Sequence, residues 1–396
     1  MRQSTLILIM LFSGLTLGLF AQRTVLQKSQ ELISKNQFAQ AFTVLDQADP
    51  QNNKSHIFEA KLHLILDFHC YTEDYLHFAL CNLSSDETLD SLRSIPKENG
   101  LIYFKADSIG KELLSKEPGN MQLHLAMGYF YQKLLEANQK EYMPSSAAQS
   151  RMQMHYELAD RQGSRNYQSM YSLGILAMKG LDFQSALPYL EKAIELKPDH
   201  AESQANLAYA LLQLNRQAEA RKHADLAHQY FQDSALKAEA ASMMALSYLQ
   251  SGNDSLALDY FRQAYSFNPD ALISLRNLLQ LERKIDSISF KKSRLHYFQR
   301  DPQSTTTYKD LYSLHPSFQE KEALLAFYQN QMKEQADSIV LANLHLFSAV
   351  LLKDFQKEEA MQKELALARE IYIREYPPEH EIFVFMRSYF SPKSSR

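Results

Sequence analysis

Along most of the 396-residue chain, apolar residues recur at spacings of three and four rather than alternating with polar ones. That period puts one apolar stripe on each segment and predicts helices, since strands would show a period of two. The periodic runs are interrupted at Pro50–Asn53, Pro96–Gly100, Pro118–Asn120, Pro198–Asp199, Pro269–Asp270, Pro302, Pro316 and Pro377–Pro378. Proline lacks the amide hydrogen that a continuing helix needs, so these sites read as turns between helices. None is long enough to be a linker.

A second pattern lies on the first. Block 167–200 carries Gly174, Ala186, Ala193 and Pro198; block 201–237 carries Ala208, Ala220 and Ala227; block 238–271 carries Ala245, Ala257, Ala264 and Pro269. Small residues at matching places in successive blocks let paired helices approach to the close end of the usual ~8–10 Å interaxial range. A repeated register therefore predicts a repeated helix hairpin, about ten of them at about 34 residues each. The fold class expected is all-α: a solenoid of antiparallel helix hairpins.

These residues also carry a family resemblance. With Tyr167 as position one, Leu173, Gly174, Ala186, Leu190, Ala193 and Pro198 fall at seven, eight, twenty, twenty-four, twenty-seven and thirty-two, so the run resembles a tetratricopeptide repeat. The next block keeps Leu207, Ala208, Ala220 and Ala227 but has Gln232 in place of the proline. The third keeps Met244, Ala245, Tyr248, Ala257, Phe261, Ala264 and Pro269. Fainter copies are Ser29, Ala41 and Ala48 near the start, Ala106, Leu113 and Pro118, and Gly128 with Tyr131. The resemblance implies a right-handed superhelix. The domain plan is a leader at 1–21, degenerate repeats over 22–166 with an insertion at 137–150, three well-formed repeats over 167–271, degenerate helical repeats over 272–378, and a C-terminal cap and tail at 379–396.

The leader has Arg2 followed by an apolar run from Leu6 to Phe20 that ends at Ala21. A charged start, an apolar run too short for a comfortable span and a small residue at the end read as a secretory signal peptide cleaved after Ala21. An uncleaved anchor is the alternative. No cysteine follows the run, so a bacterial lipid anchor is not expected. The destination read from this is the periplasm or the outside of an exported bacterial protein. The formal net charge is −4, and losing the leader removes Arg2 and leaves −5, which argues against nucleic acid as a partner.

Candidate chemistry is sparse. The chain has no phosphate-cradling glycine loop, no GxSxG, no HExxH and no CxxC, so no enzyme activity and no cofactor are expected. One cluster, His63, His69, Cys70, His77 and Cys81, has soft ligands of the type that suits zinc, with His69, Cys70, His77 and Cys81 as the candidates. On a helix, however, adjacent His69 and Cys70 point about 100° apart. The reading preferred on the sequence is two buried small thiols among core or surface histidines, with zinc or a Cys70–Cys81 disulfide as alternatives. For the disulfide, the eleven-residue step spans about 16 Å on one continuous helix, beyond bridging distance.

Functional residues come instead from the resemblance. In such families the groove is lined by positions two, five, nine and twelve or thirteen of each repeat, with position six at one block. Here these are Gln122, Tyr129, Gln132 and Lys133; Gln168, Tyr171 and Met178; Glu202, Asn206, Tyr209 and Gln213; and Glu239, Ser242 and Gln250. The implied function is an exported, non-catalytic scaffold that binds a protein or an extended peptide segment in the envelope. Core packing is the competing role for the tyrosines. Among the residues that clamp a C-terminal carboxylate in chaperone adaptors only Asn206 has a counterpart, so that mode is not expected. With Glu202 and Glu239 in it, the groove favours neutral or basic segments. Against this, 283–300 gathers Arg283, Lys284, Lys291, Lys292, Arg294 and Arg300 around a single acid, Asp286, which suits an acidic partner or peripheral contact with a membrane, or else is a solvated basic face. The second function class is a glycan or small-ligand binder, although the chain lacks tryptophan.

Overall fold

The computed structural model describes residues 24–93 and 100–390. The expected leader, its cleavage site and the last six residues of the tail lie outside them. The described residues form two compact units that meet in sequence at Leu214 and Asn215. Among them no helix is long and apolar enough to cross a membrane.

The first unit holds α1 (24–34), α2 (Phe38–Ala48), α3 (Ser55–Phe68), β1 (His69–Thr72), β2 (His77–Leu80), α4 (Leu89–Arg93), β3 (Ile102–Tyr103), α5 (Ala106–Lys116), α6 (Met121–Glu136), α7 (Ser145–Arg161), α8 (Tyr167–Lys179), α9 (Phe183–Leu196) and α10 (Ala201–Gln213). Its core runs from Phe38 and Leu45 through Phe58, Ile65, Phe78, Phe104, Met127, Phe130 and Tyr156 to Leu173 and Ala193. The second unit holds α11 (Gln217–Tyr230), α12 (Ser234–Gln250), α13 (Asp254–Phe267), α14 (Leu272–Ile285), α15 (Ser287–Arg300), α16 (Thr305–Ser313), α17 (Phe318–Met332), α18 (Ser338–Asp354), α19 (Glu358–Glu375) and α20 (Glu381–Phe390). A separate core extends there from Ala245 and Phe261 to Tyr372 and Met386. The all-α expectation holds for both units, with one local exception.

The small-residue register sits where helices cross. A Cβ added at Gly174 on α8 would lie 2.8 Å from Cγ and Cδ2 of Leu190 on α9, and one added at Gly128 on α6 would run into the Tyr156 ring on α7. Ala186, Ala208, Ala220, Ala245 and Ala257 are at most 1% exposed. Apolar burial at such sites contributes about 25 cal/mol per Å2, and only small side chains let the neighbouring turns close on one another.

The hairpin turns share a second device. Position fifteen of a repeat adopts left-handed backbone: Leu181, Asn215 and Gly252 have φ of 59°, 58° and 75°. At Leu181 and Gly252 the amide of that residue bonds to the carbonyl three residues back (Met178, Leu249), and the next amide to the carbonyl five back (Ala177, Tyr248). This pairing closes the helix end by satisfying two orphan carbonyls. The same turn recurs at Asn36 and at Gln356 (φ 57° and 56°). Counting from Gln356, Ala349, Met361 and Ala368 fall at positions eight, twenty and twenty-seven, all buried, so α18 and α19 form a full repeat inside the stretch read as degenerate.

The exception to all-α is at His69–Leu80 and Ile102–Tyr103, where helical repeats are expected on the sequence. Strands β1, β2 and β3 form an antiparallel sheet in that order. The turn is built by Asp74, whose Oδ1 accepts the amides of Leu76 at 2.9 Å and His77 at 3.0 Å, with Tyr75 in left-handed conformation. Asn82 Oδ1 then accepts the Ala39 amide at 3.1 Å, which ties the hairpin to the start of α2. The insertion expected between helices at 137–150 is a connection only as far as Pro144; Ser145 to Ser150 open α7.

Candidate partner-binding site

Cys70 and Cys81 are joined as a disulfide with Cα atoms 6.3 Å apart. This overturns the preference for two free buried thiols and removes both sulfurs as zinc ligands. A helix would have kept the cysteines apart, but antiparallel strands bring residues eleven apart face to face, and the pairing register shifts between His69 and Tyr71 to place Cys70 inward. His69 Nδ1 lies 2.8 Å from the Ile65 carbonyl and His77 Nδ1 3.0 Å from Asp74 Oδ1. Among the described residues no group of three or more His, Cys, Asp or Glu side chains is arranged to hold a metal ion.

The basic stretch is also largely committed. Arg283 pairs with Glu320 at 2.7 Å, Lys284 with Asp254 at 3.8 Å and Arg300 with Asp270 at 2.8 Å. Arg294 stacks on Phe327, 4.4 Å from the ring centroid, and its Nη1 faces His315 Nε2 at 3.2 Å. Lys291 and Lys292 remain exposed. Rather than a free basic face, the segment is the α14–α15 hairpin tied into the second unit.

In the first unit, α6, α8 and α10 frame a depression of about 320 Å3 lined by Tyr129, Gln132, Lys133, Glu136, Tyr167, Gln168, Tyr171, His200 and Glu202. Six of these, Tyr129, Gln132, Lys133, Gln168, Tyr171 and Glu202, come from the lining positions expected on the sequence. Each helix is set by a cap: Asn120 Oδ1 accepts the Leu123 amide at 3.1 Å, Asn166 Oδ1 the Ser169 amide at 2.8 Å, and His200 Nδ1 the Ser203 amide at 3.3 Å. That last cap also fixes the ring of His200 against Tyr167 and Tyr171, at centroid distances of 5.0 and 5.1 Å.

Polar groups inside the depression are partly spoken for. Gln132 Oε1 accepts from Tyr156 Oη and Ser172 Oγ, both at 2.9 Å, and its Nε2 donates to Glu136 at 2.8 Å. Lys133 Nζ reaches Glu136 Oε2 at 2.9 Å and lies 5.3 Å from the Tyr129 centroid. Tyr129 itself is buried and gives its hydroxyl hydrogen to Asp67, so it is a wall of the depression rather than a reaching side chain. Burial, followed by that bond to Asp67, raises its phenol well above the ordinary range. Tyr171 is raised too, by burial first and Glu202 second, while its oxygen accepts from Asn206 Nδ2 at 3.4 Å. Burial holds His200 below the usual histidine value, which keeps it neutral at pH 7.

The other expected lining residues are elsewhere. Gln122 is exposed at the start of α6, Met178 is half-buried on α8, and Gln213 is exposed at the end of α10. Tyr209 is exposed with its ring edge-on to Phe183 at 5.9 Å. Glu239, Ser242 and Gln250 belong to α12 in the second unit, where Ser242 Oγ spends its bonds on the Ala238 carbonyl and Ser274 Oγ, both 2.8 Å away. Three lining residues escaped the positional rule. Tyr167 is position one, His200 is the last residue of the same block, and Glu136 lies one turn beyond Gln132. The last was legible from the i, i+4 spacing.

Residues 171–230 and 238–271 each match a family model described as tetratricopeptide repeat. No curated protein matches the chain. Among solved structures it is similar to YrrB, titled a TPR protein with an unusual peptide-binding site, at 17% identity over 59% of this chain and 96% of that one, with a TM-score of 0.41. It is similar as well to the C-terminal part of a TPR repeat-containing protein from Cytophaga hutchinsonii (12% identity, 66% and 93% covered, TM-score 0.42). A tetratricopeptide repeat protein from Parabacteroides merdae gives 15% identity, 65% and 97% covered, and a TM-score of 0.39.

Proposed function

Since the chain is a tetratricopeptide-repeat protein, we propose that it is a non-catalytic scaffold of the cell envelope that holds an extended segment of another protein against α6, α8 and α10. The observation that carries this reading is the convergence of Tyr129, Gln132, Lys133, Gln168, Tyr171 and Glu202, from three helices, on one depression. Aromatic walls with amides and carboxylates at the rim suit a peptide, whose backbone needs both donors and acceptors. Export is supported by the charged and apolar leader and by the Cys70–Cys81 disulfide, because such bonds persist in oxidising compartments.

Two measurements test this. A photoreactive p-benzoylphenylalanine in place of Gln168 is expected to trap a discrete protein in living cells, whereas the same residue in place of Glu195 on α9 traps none. No adduct at 168, or the same adducts at both places, would refute the scaffold reading. Mass spectrometry of the mature protein is expected to find Gln22 as its first residue; retention of Met1 would overturn cleaved export.

A further inference from the structure

The depression between α6, α8 and α10 has an unbalanced charge. Lys133 is its lone lining cation and is cancelled by Glu136, 2.9 Å away. Glu202 keeps a carboxylate with half of its side chain exposed; its ionisable neighbour is His200 Nε2 at 3.4 Å, neutral at pH 7. Glu202 is therefore the lining carboxylate with no lining cation paired to it, and it faces the solvent beside the rings of Tyr167 and Tyr171, with Lys197 close to Tyr167. Phenol faces attract cations, and this chain already uses that attraction here: Lys197 Nζ lies 4.5 Å from the Tyr167 centroid and Lys133 Nζ 5.3 Å from that of Tyr129. Gln168, at the rim, makes no hydrogen bond to another described side chain, so both halves of its amide can serve an incoming backbone. A volume of about 320 Å3 takes one long side chain and a short length of main chain, at the small end of ligand sites.

We infer that this depression is a subsite for an arginine side chain of the partner's extended segment, with the guanidinium paired to Glu202 and stacked against Tyr171. Arginine suits it better than lysine because a planar guanidinium can stack on a ring and pair with a carboxylate at once. The inference rests on the segment-holding reading above and adds the identity of the anchor.

The test pans a random twelve-residue peptide library, displayed on phage, against the full chain. Enriched peptides are expected to share one arginine. Glu202→Gln is expected to weaken the best of them by about ten-fold or more, as loss of a charged hydrogen bond does, with thermal melting unchanged. Enriched peptides that compete with cross-linking at 168 but carry no arginine would remove the subsite and leave the scaffold reading standing. Full affinity of an arginine peptide for Glu202→Gln would also remove it, as would equal binding when that arginine is replaced by norleucine. Enrichment of nothing would remove both readings.

Discussion

His315 in the second unit is 1% exposed, with Nδ1 2.6 Å from the Leu311 carbonyl and Nε2 taking a bond from Arg294. Burial, with Arg294 adding to it, pushes its pKa down to about 4 from 6.5. A base whose folded pKa is depressed binds its proton more readily in the unfolded chain. Its contribution is therefore complete above pH 6.5 and is lost as pH falls towards 4, by about 3 kcal/mol at most. Glu320, which Ser317 and Arg283 hold near about 2 despite its desolvation, begins to matter only below its ordinary value of 4.5. Denaturant unfolding of the second unit is thus expected to weaken between pH 6.5 and 4.5, and His315→Gln to flatten that dependence; a parallel decline in the variant would contradict it. In the first unit His155, also near 4 through burial and its neighbour His124, acts in the same direction. Glu59, raised to about 7 by burial and Glu117, opposes it, because its contribution falls as pH rises from 4.5 to 7.

Between helices the decisive residues are the smallest. Gly128→Ala puts a methyl into the ring of Tyr156, and Gly174→Ala puts one 2.8 Å from Cγ and Cδ2 of Leu190; both partners are at most 1% exposed, but the contact with the rigid ring is the closer, at 2.4 Å. Overpacking costs about 1–3 kcal/mol, and alanine returns about 1 kcal/mol of helix propensity. Chemical denaturation should find both variants destabilised, Gly128→Ala by more than Gly174→Ala. For the sheet, paired Cys70→Ala and Cys81→Ala should lose about 3 kcal/mol of loop-closure entropy, and thiol titration of the unfolded, unreduced parent should find no free thiol. The crossings were legible in the sequence because Gly174, Ala208 and Ala245 report a steric demand that few other residues meet. The sheet was not, since four-residue strands such as His69–Thr72 are too short to display a period. The α18–α19 repeat lies within the degenerate helical repeats expected over 272–378, and its register is faint because Met361 stands where a small residue is wanted and Gln356 where the turn favours asparagine or glycine.

For the whole molecule, the boundary between units at Leu214 and Asn215 falls inside the block 201–237, between α10 and α11. Repeat arithmetic would draw its lines at 200 or 237. The structure joins α10 to the elements before it, through Asn206 to Tyr171 and Tyr209 to Phe183. Six of the nine lining residues were readable, and the rest not, for a related reason: positional rules hold within a helix, while His200 enters the site by capping the next one. A fragment ending at Leu214 is expected to melt cooperatively, and one ending at His200, which lacks α10 and Glu202, to melt lower and more broadly by calorimetry.

The left-handed residue at position fifteen reaches beyond the closing of a helix. Leu181, Asn215 and Gly252 occupy one conformation with three different side chains, and Leu181 does so with 76% of its surface exposed. A non-glycine, non-asparagine residue in that conformation costs about 1–2 kcal/mol, yet the turn geometry is unchanged. The turn is therefore specified by the helices on either side and only tuned by its own residue. For a lineage of such chains, this makes position fifteen a place where sequence can drift, or acquire a surface contact, without moving the helices that frame the depression.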